Sequence, residues 1–361
     1  MANVTALPLH QTVIRQQPDC TVGISNGVPL PILFERNMIL IKTVAVTLNP
    51  CDWKMPSRFP CAGAVDGCDF AGYIVEVGDG VTKPLKAGDK VFGAVHGSNP
   101  VCPQSGAFAE YIAAHADFVF KAPKDMAWET ASAFGGIGIG TIGVALFYSL
   151  KPPGTIEIPA EKPIYVLVNG GASASGTMAI QCLKMAGLTP IATCSPHKKD
   201  LVISYGAEKV FDYSSETCAS DIRSYTRNSL KYVLDCIATT SAAKLCYAAM
   251  GRLGGKYTAL EMPPPVAGVR KSITSDVIMG MSLLGKEVAL SEGYHRPADP
   301  ECHAFGVKWY SLVQRLINEG KLKPHPAKVM TGGFRGILEG IEILRDGKNA
   351  GTKLVYFLEE N

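Results

Sequence analysis

An apolar run in the middle of the chain is followed by two glycines and then by small and hydroxyl-bearing residues, in YVLVNGGASASG (165–176). In the usual dinucleotide-binding turn G-x-G-x-x-G, glycines let the start of a helix approach a pyrophosphate closely. Here Gly170 and Gly171 predict the tight turn and Gly176 predicts close packing of the next helix. A Gly-Gly turn alone is common, but this one follows the first run of an alternating series, and its hydroxyls can donate to phosphate oxygens. We therefore predict a pyrophosphate site at Ala172, Ser173, Ala174 and Ser175.

A second polar cluster follows the next apolar run. An NAD site would place Asp or Glu there, about 20 residues on, to bind the ribose 2′-hydroxyl. The sequence reads TCSPHKK (193–199) and contains no acid. A hydroxyl, an imidazole and an ammonium can instead bind a 2′-phosphate, which a carboxylate would repel. NADPH is therefore favoured over NADH, with contacts at Ser195, Pro196, His197 and Lys198, whereas Lys199 also suits a solvated helix start.

The elements that must position these motifs alternate from Ile164 onward. The apolar runs IYVLV, PIATC, KVFDY, YVLDCI and KYTAL are separated by amphipathic segments. Apolar runs without internal alternation are typical of parallel strands covered on both faces. The sequence therefore predicts an α/β fold with a Rossmann-type, doubly wound parallel sheet over residues 156–285.

The flanking regions have a different texture. Before residue 155, short β-like runs such as MILIKTVAVTL and AGYIVEVG are separated by Gly, Pro and Asp, which indicates a turn-rich β domain. KPPGTIEIPAEKP (151–163) is predicted to be a connecting loop, because proline disfavours helices and central strands. After residue 285 come an amphipathic helix and a last strand, KLVYFL. We predict one β-rich domain formed by residues 1–155 and 286–361, with the Rossmann unit inserted.

Bulk properties exclude several classes of protein. The 361 residues are 47% hydrophobic and carry a formal net charge of +3, with the basic residues scattered, which does not indicate a nucleic-acid surface. The N-terminus lacks the pattern of a secretory signal, and we find no apolar stretch of the roughly 20 residues that a membrane span needs. Eleven cysteines, Cys20 among them, form no C-x-x-C pair and are typical of free thiols in a reducing compartment. We expect a cytoplasmic protein.

A resemblance covers essentially the whole chain. The segments NPCDWKM, DGCDFAGYIVEVG, KAGDKVFG, GAFAEY, YVLVNGGASASG, IATCSPH, GAEKVFDY and GTKLV follow one another in an order that resembles the medium-chain dehydrogenase/reductase superfamily. NPxDxK together with TCSPH and FDY is most similar to the trans-acting enoyl reductases of fungal polyketide synthases. The resemblance implies a GroES-like substrate domain, and a zinc-independent, monomeric enzyme. It also implies a substrate carried by a partner polyketide synthase or PKS-NRPS.

The resemblance also implies roles for individual residues. Lys54 would lie at the nicotinamide ribose, where it orients the cofactor or donates a proton, although it could also be a surface lysine. Thr141 would face the nicotinamide and the substrate thioester, although a threonine in a glycine-rich helix start could also cap the helix. Tyr213 would contact the adenosine end, or belong to the core.

Further positions follow from the same resemblance. The additional cofactor contacts would be Cys51, Asp52, Trp53, Leu260, Glu261, Thr352 and Lys353. The substrate would be lined by two segments: Ile137, Gly138, Ile139, Gly140, Thr141, Ile142, Gly143 and Val144 form the first, and Gly280, Met281, Ser282, Leu283 and Leu284 form the second. The apolar second segment would suit a polyketide chain or ordinary core.

Zinc is not expected, although alcohol dehydrogenases of this superfamily need it. A catalytic zinc has three protein ligands and one open position. Aligned on Asp52, the first ligand position carries Asn49, with Cys51 close by, and the Gly-His-Glu of the zinc enzymes becomes Gly67-Cys68-Asp69. The third position falls in a glycine-rich stretch without sulfur or imidazole. We interpret Cys68 as a core residue and predict no metal.

A site without a metal suits conjugate reduction, in which a hydride from NADPH reaches the β-carbon of an α,β-unsaturated thioester and hydrogen bonds stabilise the enolate oxygen. Quinone and alkenal reductases share this fold and cofactor but take small free substrates. A non-catalytic NADPH-binding scaffold for a synthase is a further alternative, which Lys54 and Thr141 disfavour.

Overall fold

The protein is described by a computed structural model that covers residues 7–19 and 21–359, so Cys20 lies outside the described residues. The chain divides into two compact units. The first comprises the chain up to Ile137 with residues 287–297 and 307 onward, and the second comprises residues 138–286 and 298–306. Residues 138–155, 286 and 298–306, which we expected in the β-rich domain, thus belong to the second unit.

The strands of the described residues are β1 (His10–Gln16), β2 (Val22–Pro29), β3 (Met38–Thr47), β4 (Asp69–Val77), β5 (Lys90–Ala94), β6 (Tyr111–His115), β7 (Val119–Lys121), β8 (Tyr165–Asn169), β9 (Thr189–Cys194), β10 (Lys209–Asp212), β11 (Tyr232–Asp235), β12 (Gly255–Ala259), β13 (Ile273–Val277), β14 (Ala327–Met330) and β15 (Lys353–Phe357). The α-helices are α1 (Pro50–Arg58), α2 (Trp128–Phe134), α3 (Ile137–Gly143), α4 (Ala174–Met185), α5 (Lys199–Ser204), α6 (Cys218–Tyr225), α7 (Thr240–Ala249), α8 (Pro300–Asn318) and α9 (Gly333–Arg345).

The first unit is built on a mixed sheet in the order β14-β15-β3-β4-β5-β7, with β6 also paired to β3. The central strand β3 has most of its residues buried, which explains its nearly continuous apolar sequence. Strand β15 pairs antiparallel with β3, so the C-terminal strand belongs to the sheet of the first unit. β1 and β2 form a separate antiparallel pair.

The second unit is built on a parallel sheet in the order β10-β9-β8-β11-β12-β13. Numbered from the first strand of the unit, this is the 3-2-1-4-5-6 order of the doubly wound dinucleotide-binding fold. The predicted α/β class is thereby confirmed. The five predicted apolar runs correspond to β8 to β12, whereas β13 was not predicted.

The helical run Trp128–Leu150 contains α2, α3 and a π-helical segment at Val144–Leu150. By length and composition it could cross a membrane, with a mean hydropathy of 1.6, so our statement that no apolar stretch is long enough was wrong. However, 67% of its most apolar window is buried inside the protein. A helix that is apolar on all sides is expected in a protein core as well as in a membrane.

Candidate active site

The turn between β8 and α4 holds the predicted pyrophosphate contacts. Gly170 has a φ of +79°, and a side chain at Gly176 would collide with the carbonyl oxygen of Gly170. Ser173 is the N-cap of α4, because its Oγ accepts from the Gly176 N–H at 3.0 Å and donates to the Gly170 oxygen at 2.7 Å. The Ser173 hydroxyl is therefore engaged within the turn. Ala172, Ala174 and Ser175 are half-buried, and the N–H groups of a first helical turn can bind phosphate.

Two hydroxyl groups meet at the carboxyl ends of β9 and β10. Ser195 Oγ lies 3.1 Å from the Tyr213 hydroxyl. Tyr213 is 54% exposed, so it is not a core residue. His197 is exposed and Lys198 is half-buried, in a short 3-10 turn that starts at Pro196. This arrangement leaves the Ser195–Tyr213 pair open to a ligand at the sheet edge.

A carboxylate that sequence reasoning left out ends β10. Asp212 Oδ1 accepts from the Ser214 hydroxyl at 2.6 Å and from the Ser214 N–H at 2.9 Å. The hydroxyl bond and the backbone bond lower the pKa of Asp212. The Asp212 carboxylate is thus hydrogen-bonded to Ser214, the residue that follows Tyr213.

A buried carboxylate braces the same edge of the sheet. Asp235, at the end of β11, is fully buried. Its Oδ1 accepts from Asn169 Nδ2 at 2.8 Å and its Oδ2 from the Tyr257 hydroxyl at 2.7 Å. Thr193 Oγ1 donates in turn to Asn169 Oδ1 at 2.5 Å. This series of hydrogen bonds connects β8, β9, β11 and β12 beside the turn between β8 and α4. Sequence analysis missed it, although Asn169, Thr193 and Asp235 stand at or next to the ends of apolar runs.

Helix α1 carries Lys54 and begins next to Asn49, its N-cap. Asp52 is buried, and its Oδ2 accepts from the Asn49 N–H at 2.7 Å. Burial raises the pKa of Asp52 well above its usual value. Asp52 is therefore engaged in capping, while Cys51, Trp53 and Lys54 are half-buried. The Lys54 Nζ lies 5.7 Å from the centre of the Trp53 ring.

Lys353 enters a buried polar network in the first unit. Its Nζ donates to Asn49 Oδ1 at 2.9 Å and to Asp69 Oδ2 at 3.1 Å. Asn49 Nδ2 donates to the same Asp69 oxygen at 2.8 Å. The other oxygen, Asp69 Oδ1, accepts from the N–H groups of Gly136 and Ile137 at 2.8 and 2.9 Å. The ammonium predicted to contact a cofactor is therefore held inside the first unit.

Two thiols and a carboxyl lie close to this network. Cys51 Sγ is 3.6 Å from Cys68 Sγ and 3.6 Å from Asp52 Oδ1, and the three donor atoms lie within 4.8 Å of one another. The bond to Cys68, followed by burial, raises the pKa of the Cys51 thiol. The bond to Cys51 lowers the pKa of Cys68, but burial together with the nearby Asp52 and Asp69 carboxylates outweighs it, and the pKa of Cys68 is raised. Both thiols therefore favour the protonated form.

The residues at the aligned zinc positions do not fit a catalytic zinc. Asn49 uses its amide for Asp69 and Lys353, and Asp69 is saturated by hydrogen bonds. The Lys353 ammonium is bound to Asn49 and Asp69, and its positive charge would repel a metal cation at the same place. Cys68 is buried, in line with its interpretation as a core residue. Its sulfur lies 3.6 Å from that of Cys51, a contact that the sequence did not reveal.

The two predicted substrate segments meet within the second unit. A side chain at Gly280 would collide with Thr141 Oγ1, so the residue at position 280 must be glycine for this approach. Thr141 is the fifth residue of α3 and therefore does not cap it. The half-buried residues of the two segments are Ile137, Gly138, Thr141, Gly280, Met281, Ser282 and Leu284, whereas Ile139, Gly140, Ile142, Gly143, Val144 and Leu283 are buried. A ligand could thus meet mainly the former group.

The remaining residues that we predicted as cofactor contacts make hydrogen bonds within the protein. The Leu260 N–H donates to the carbonyl of Asp235 at 3.0 Å. Glu261 Oε1 accepts from the N–H of Met262 at 3.0 Å. Thr352 Oγ1 donates to a backbone oxygen in the turn before β15, at 2.8 Å. Leu260, Glu261 and Thr352 are half-buried, and their contact with a cofactor stays a prediction.

Comparisons with known proteins agree with this architecture. Residues 35–124 match the family described as alcohol dehydrogenase GroES-like domain, and residues 174–276 match the family described as zinc-binding dehydrogenase. Among solved structures, the CurK enoyl reductase superposes with a TM-score of 0.74 at 18% identity, over 96% of this chain and 99% of that chain. An alcohol dehydrogenase superfamily protein from Novosphingobium aromaticivorans superposes with a TM-score of 0.76 at 19% identity, over 97% and 100%. At such identities these likenesses show the fold.

Curated relatives are much more similar in sequence. A trans-enoyl reductase of Aspergillus clavatus is 49% identical over 97% of this chain and 96% of its own. Trans-enoyl reductases of Pyricularia grisea and Penicillium oxalicum are 48% and 46% identical, over 99% and 98% of this chain and 96% and 94% of their own. With this similarity along nearly its whole length, the chain belongs to the trans-enoyl reductases of the medium-chain dehydrogenase/reductase superfamily.

Proposed function

We propose that this enoyl reductase uses NADPH to reduce an α,β-unsaturated polyketide thioester that a partner polyketide synthase or PKS-NRPS carries. The observation that carries the choice of NADPH is the Ser195–Tyr213 hydroxyl pair, 3.1 Å apart at the carboxyl ends of β9 and β10. Lys198 lies on the turn that follows β9, and residues 193–199 contain no acid. Hydroxyl and ammonium groups can bind a 2′-phosphate.

The chain supplies orientation and electrostatic stabilisation. When bound, NADPH supplies the hydride that adds to the β-carbon of the substrate. The Thr141 hydroxyl donates a hydrogen bond to the thioester oxygen, which gains negative charge as the double bond is reduced. The Lys54 ammonium orients the nicotinamide ribose and supports this charge. The α-carbon receives its proton from a side chain or from solvent.

The same proposal includes independence of zinc, because Asn49 and Asp69 are bound to Lys353 at the aligned ligand positions. It also includes a cytoplasmic enzyme, because the ten described cysteines are free, and a monomer, as the resemblance implies.

NADPH oxidation by the purified protein tests the proposal. An α,β-unsaturated acyl-pantetheine thioester and a small quinone or free enal are compared side by side, each with NADPH and with NADH. We expect preference for the thioester and for NADPH. Preference for the small electrophile would assign a detoxifying reductase instead. Tight NADPH binding without oxidation of either substrate would indicate a scaffold, or an obligatory partner synthase, which adding the synthase would reveal.

A further inference from the structure

A buried ammonium group stands at the aligned metal-ligand positions of this fold. Lys353 is 8% exposed and Asp69 is fully buried. Buried charges are costly unless they are paired and fully hydrogen-bonded. Here the Asp69 carboxylate receives four hydrogen bonds, from Lys353, Asn49, Gly136 and Ile137. A buried ion pair contributes little net stability compared with apolar residues of similar size. Stability alone therefore does not explain why Lys353 and Asp69 are paired here.

The network joins segments that are distant in sequence. Lys353 is the first residue of β15, and Asp69 is the first residue of β4. Asn49 is the N-cap of α1, and Ile137 is the first residue of α3. A single ammonium thus connects, directly or through one carboxylate, the starts of two strands and two helices.

The turn before α3 is shaped around the carboxylate. Gly135 has a φ of +57°, and a side chain there would collide with the Asp69 carboxylate. The Tyr310 hydroxyl donates to the carbonyl oxygen of the next residue, Gly136, at 2.9 Å. The backbone of this turn is therefore held on both sides by side chains of the first unit.

We propose that Lys353 is a positioning residue, whose ammonium acts where related enzymes use a metal ion and fixes the starts of the helices that carry Lys54 and Thr141. Lys54 lies about one helical turn after Asn49, and Thr141 lies about one helical turn after Ile137. Because a displacement of about 1 Å can cost about 100-fold in rate, loss of the ammonium should lower kcat. The proposal rests on the proposed function, since Lys54 and Thr141 are its expected catalytic residues.

The test uses the full chain and separates positioning from folding. Lys353→Met alone leaves the Asp69 charge buried without its cation, and Asp69→Asn alone leaves the ammonium without its anion, so both should lower Tm. The double variant Lys353→Met/Asp69→Asn removes both charges, and the amide oxygen it introduces can still accept from Gly136 and Ile137. Lys121→Met is the matched control, because Lys121 pairs with Asp89 at 2.8 Å elsewhere in the first unit.

We expect the double variant to melt at a higher temperature than either single variant. We also expect its kcat to fall at least about tenfold, at a nearly unchanged KM for NADPH. NADPH deuterated at the transferred hydrogen should give a larger isotope effect on kcat than in the wild type, because hydride transfer becomes slower. Lys121→Met should leave all three kinetic quantities unchanged.

Three results would overturn the proposal. Wild-type kcat in the double variant would make the pair purely structural. A raised KM for NADPH at unchanged kcat would place Lys353 in direct contact with the cofactor. A double variant no more stable than the single variants would show that Lys353 and Asp69 are not coupled. Failure of the wild type to oxidise NADPH even after its partner synthase is added would instead contradict the proposed function, and the melting temperatures would still report on the coupling.

Discussion

At the scale of single residues, Lys54 can be tested without disturbing the fold. It is half-buried, and substitutions away from the core, helix caps and buried polar networks usually change the free energy of unfolding by about 0.5 kcal/mol or less. We expect Lys54→Ala to lower kcat by about 10- to 100-fold, since one stabilising donor is lost, with little change in Tm. Thioester-dependent NADPH oxidation and a thermal melt measure the two effects. The exposed Lys124→Ala serves as control, and unchanged turnover would remove Lys54 from the mechanism.

The residues after β9 should decide the choice of cofactor. We expect Ser195→Ala/Lys198→Ala to weaken NADPH binding by about 10- to 100-fold, because hydrogen bonds to a charged group contribute about 1.5–3 kcal/mol. NADH, which has no 2′-phosphate, should lose much less. Titrations of cofactor fluorescence measure both affinities, and Lys199→Ala, at an exposed position of the same turn, is the control. Equal losses for the two cofactors would reject the 2′-phosphate assignment.

Local sequence revealed some of these residues and concealed others for a physical reason. Ser195 and Lys198 could be predicted as cofactor contacts because the second strand of a Rossmann fold ends where the ribose binds, and their role stays a prediction. Asp235 and Lys353 gain their roles from partners that are far away in sequence, such as Asn169 and Asn49. No spacing rule reports such pairs.

At the scale of elements, the apolar runs located β8, β9, β11 and β12 because these strands are largely buried, and β10, at the edge of the sheet and only partly buried, was located by its short apolar pair Val210 and Phe211. Strand β13 was missed, since it lies at the edge of the sheet and its three central residues are exposed. The glycine-rich stretch that becomes α3 was interpreted by resemblance, with a helix start as the alternative, and its glycines disfavour a helix. Burial of that helix supplies what its local propensity lacks.

Asp235 should hold the ends of four strands together. The loss of stability on replacing each of two tyrosines can measure this contribution. Tyr257→Phe removes the hydroxyl that donates to the buried Asp235 Oδ2 at 2.7 Å, and should cost about 1–3 kcal/mol of unfolding free energy. Tyr247→Phe is the matched control, because its hydroxyl bonds the exposed Ser275 at 3.1 Å. Urea unfolding of both variants gives the difference. Equal costs would show that Asp235 does not depend on Tyr257.

At the scale of the whole molecule, two cores in two units account for most of the buried cysteines. Cys68 belongs to the first unit, and Cys182, Cys194, Cys218 and Cys246 belong to the second. Burial of small thiols in apolar surroundings needs no disulfide. These buried cysteines therefore act as core residues.

All eleven cysteines should accordingly be free thiols in the purified protein. Alkylation of the denatured chain without reductant should add eleven groups by intact mass, the same number as after reduction. The native chain should react at fewer positions, because six of the ten described cysteines are buried. A deficit of two on the peptides of Cys51 and Cys68, whose sulfurs are 3.6 Å apart, would show that this pair oxidises. A deficit elsewhere would contradict the packing described for the two cores, since the thiols buried there would have to leave their sites to meet.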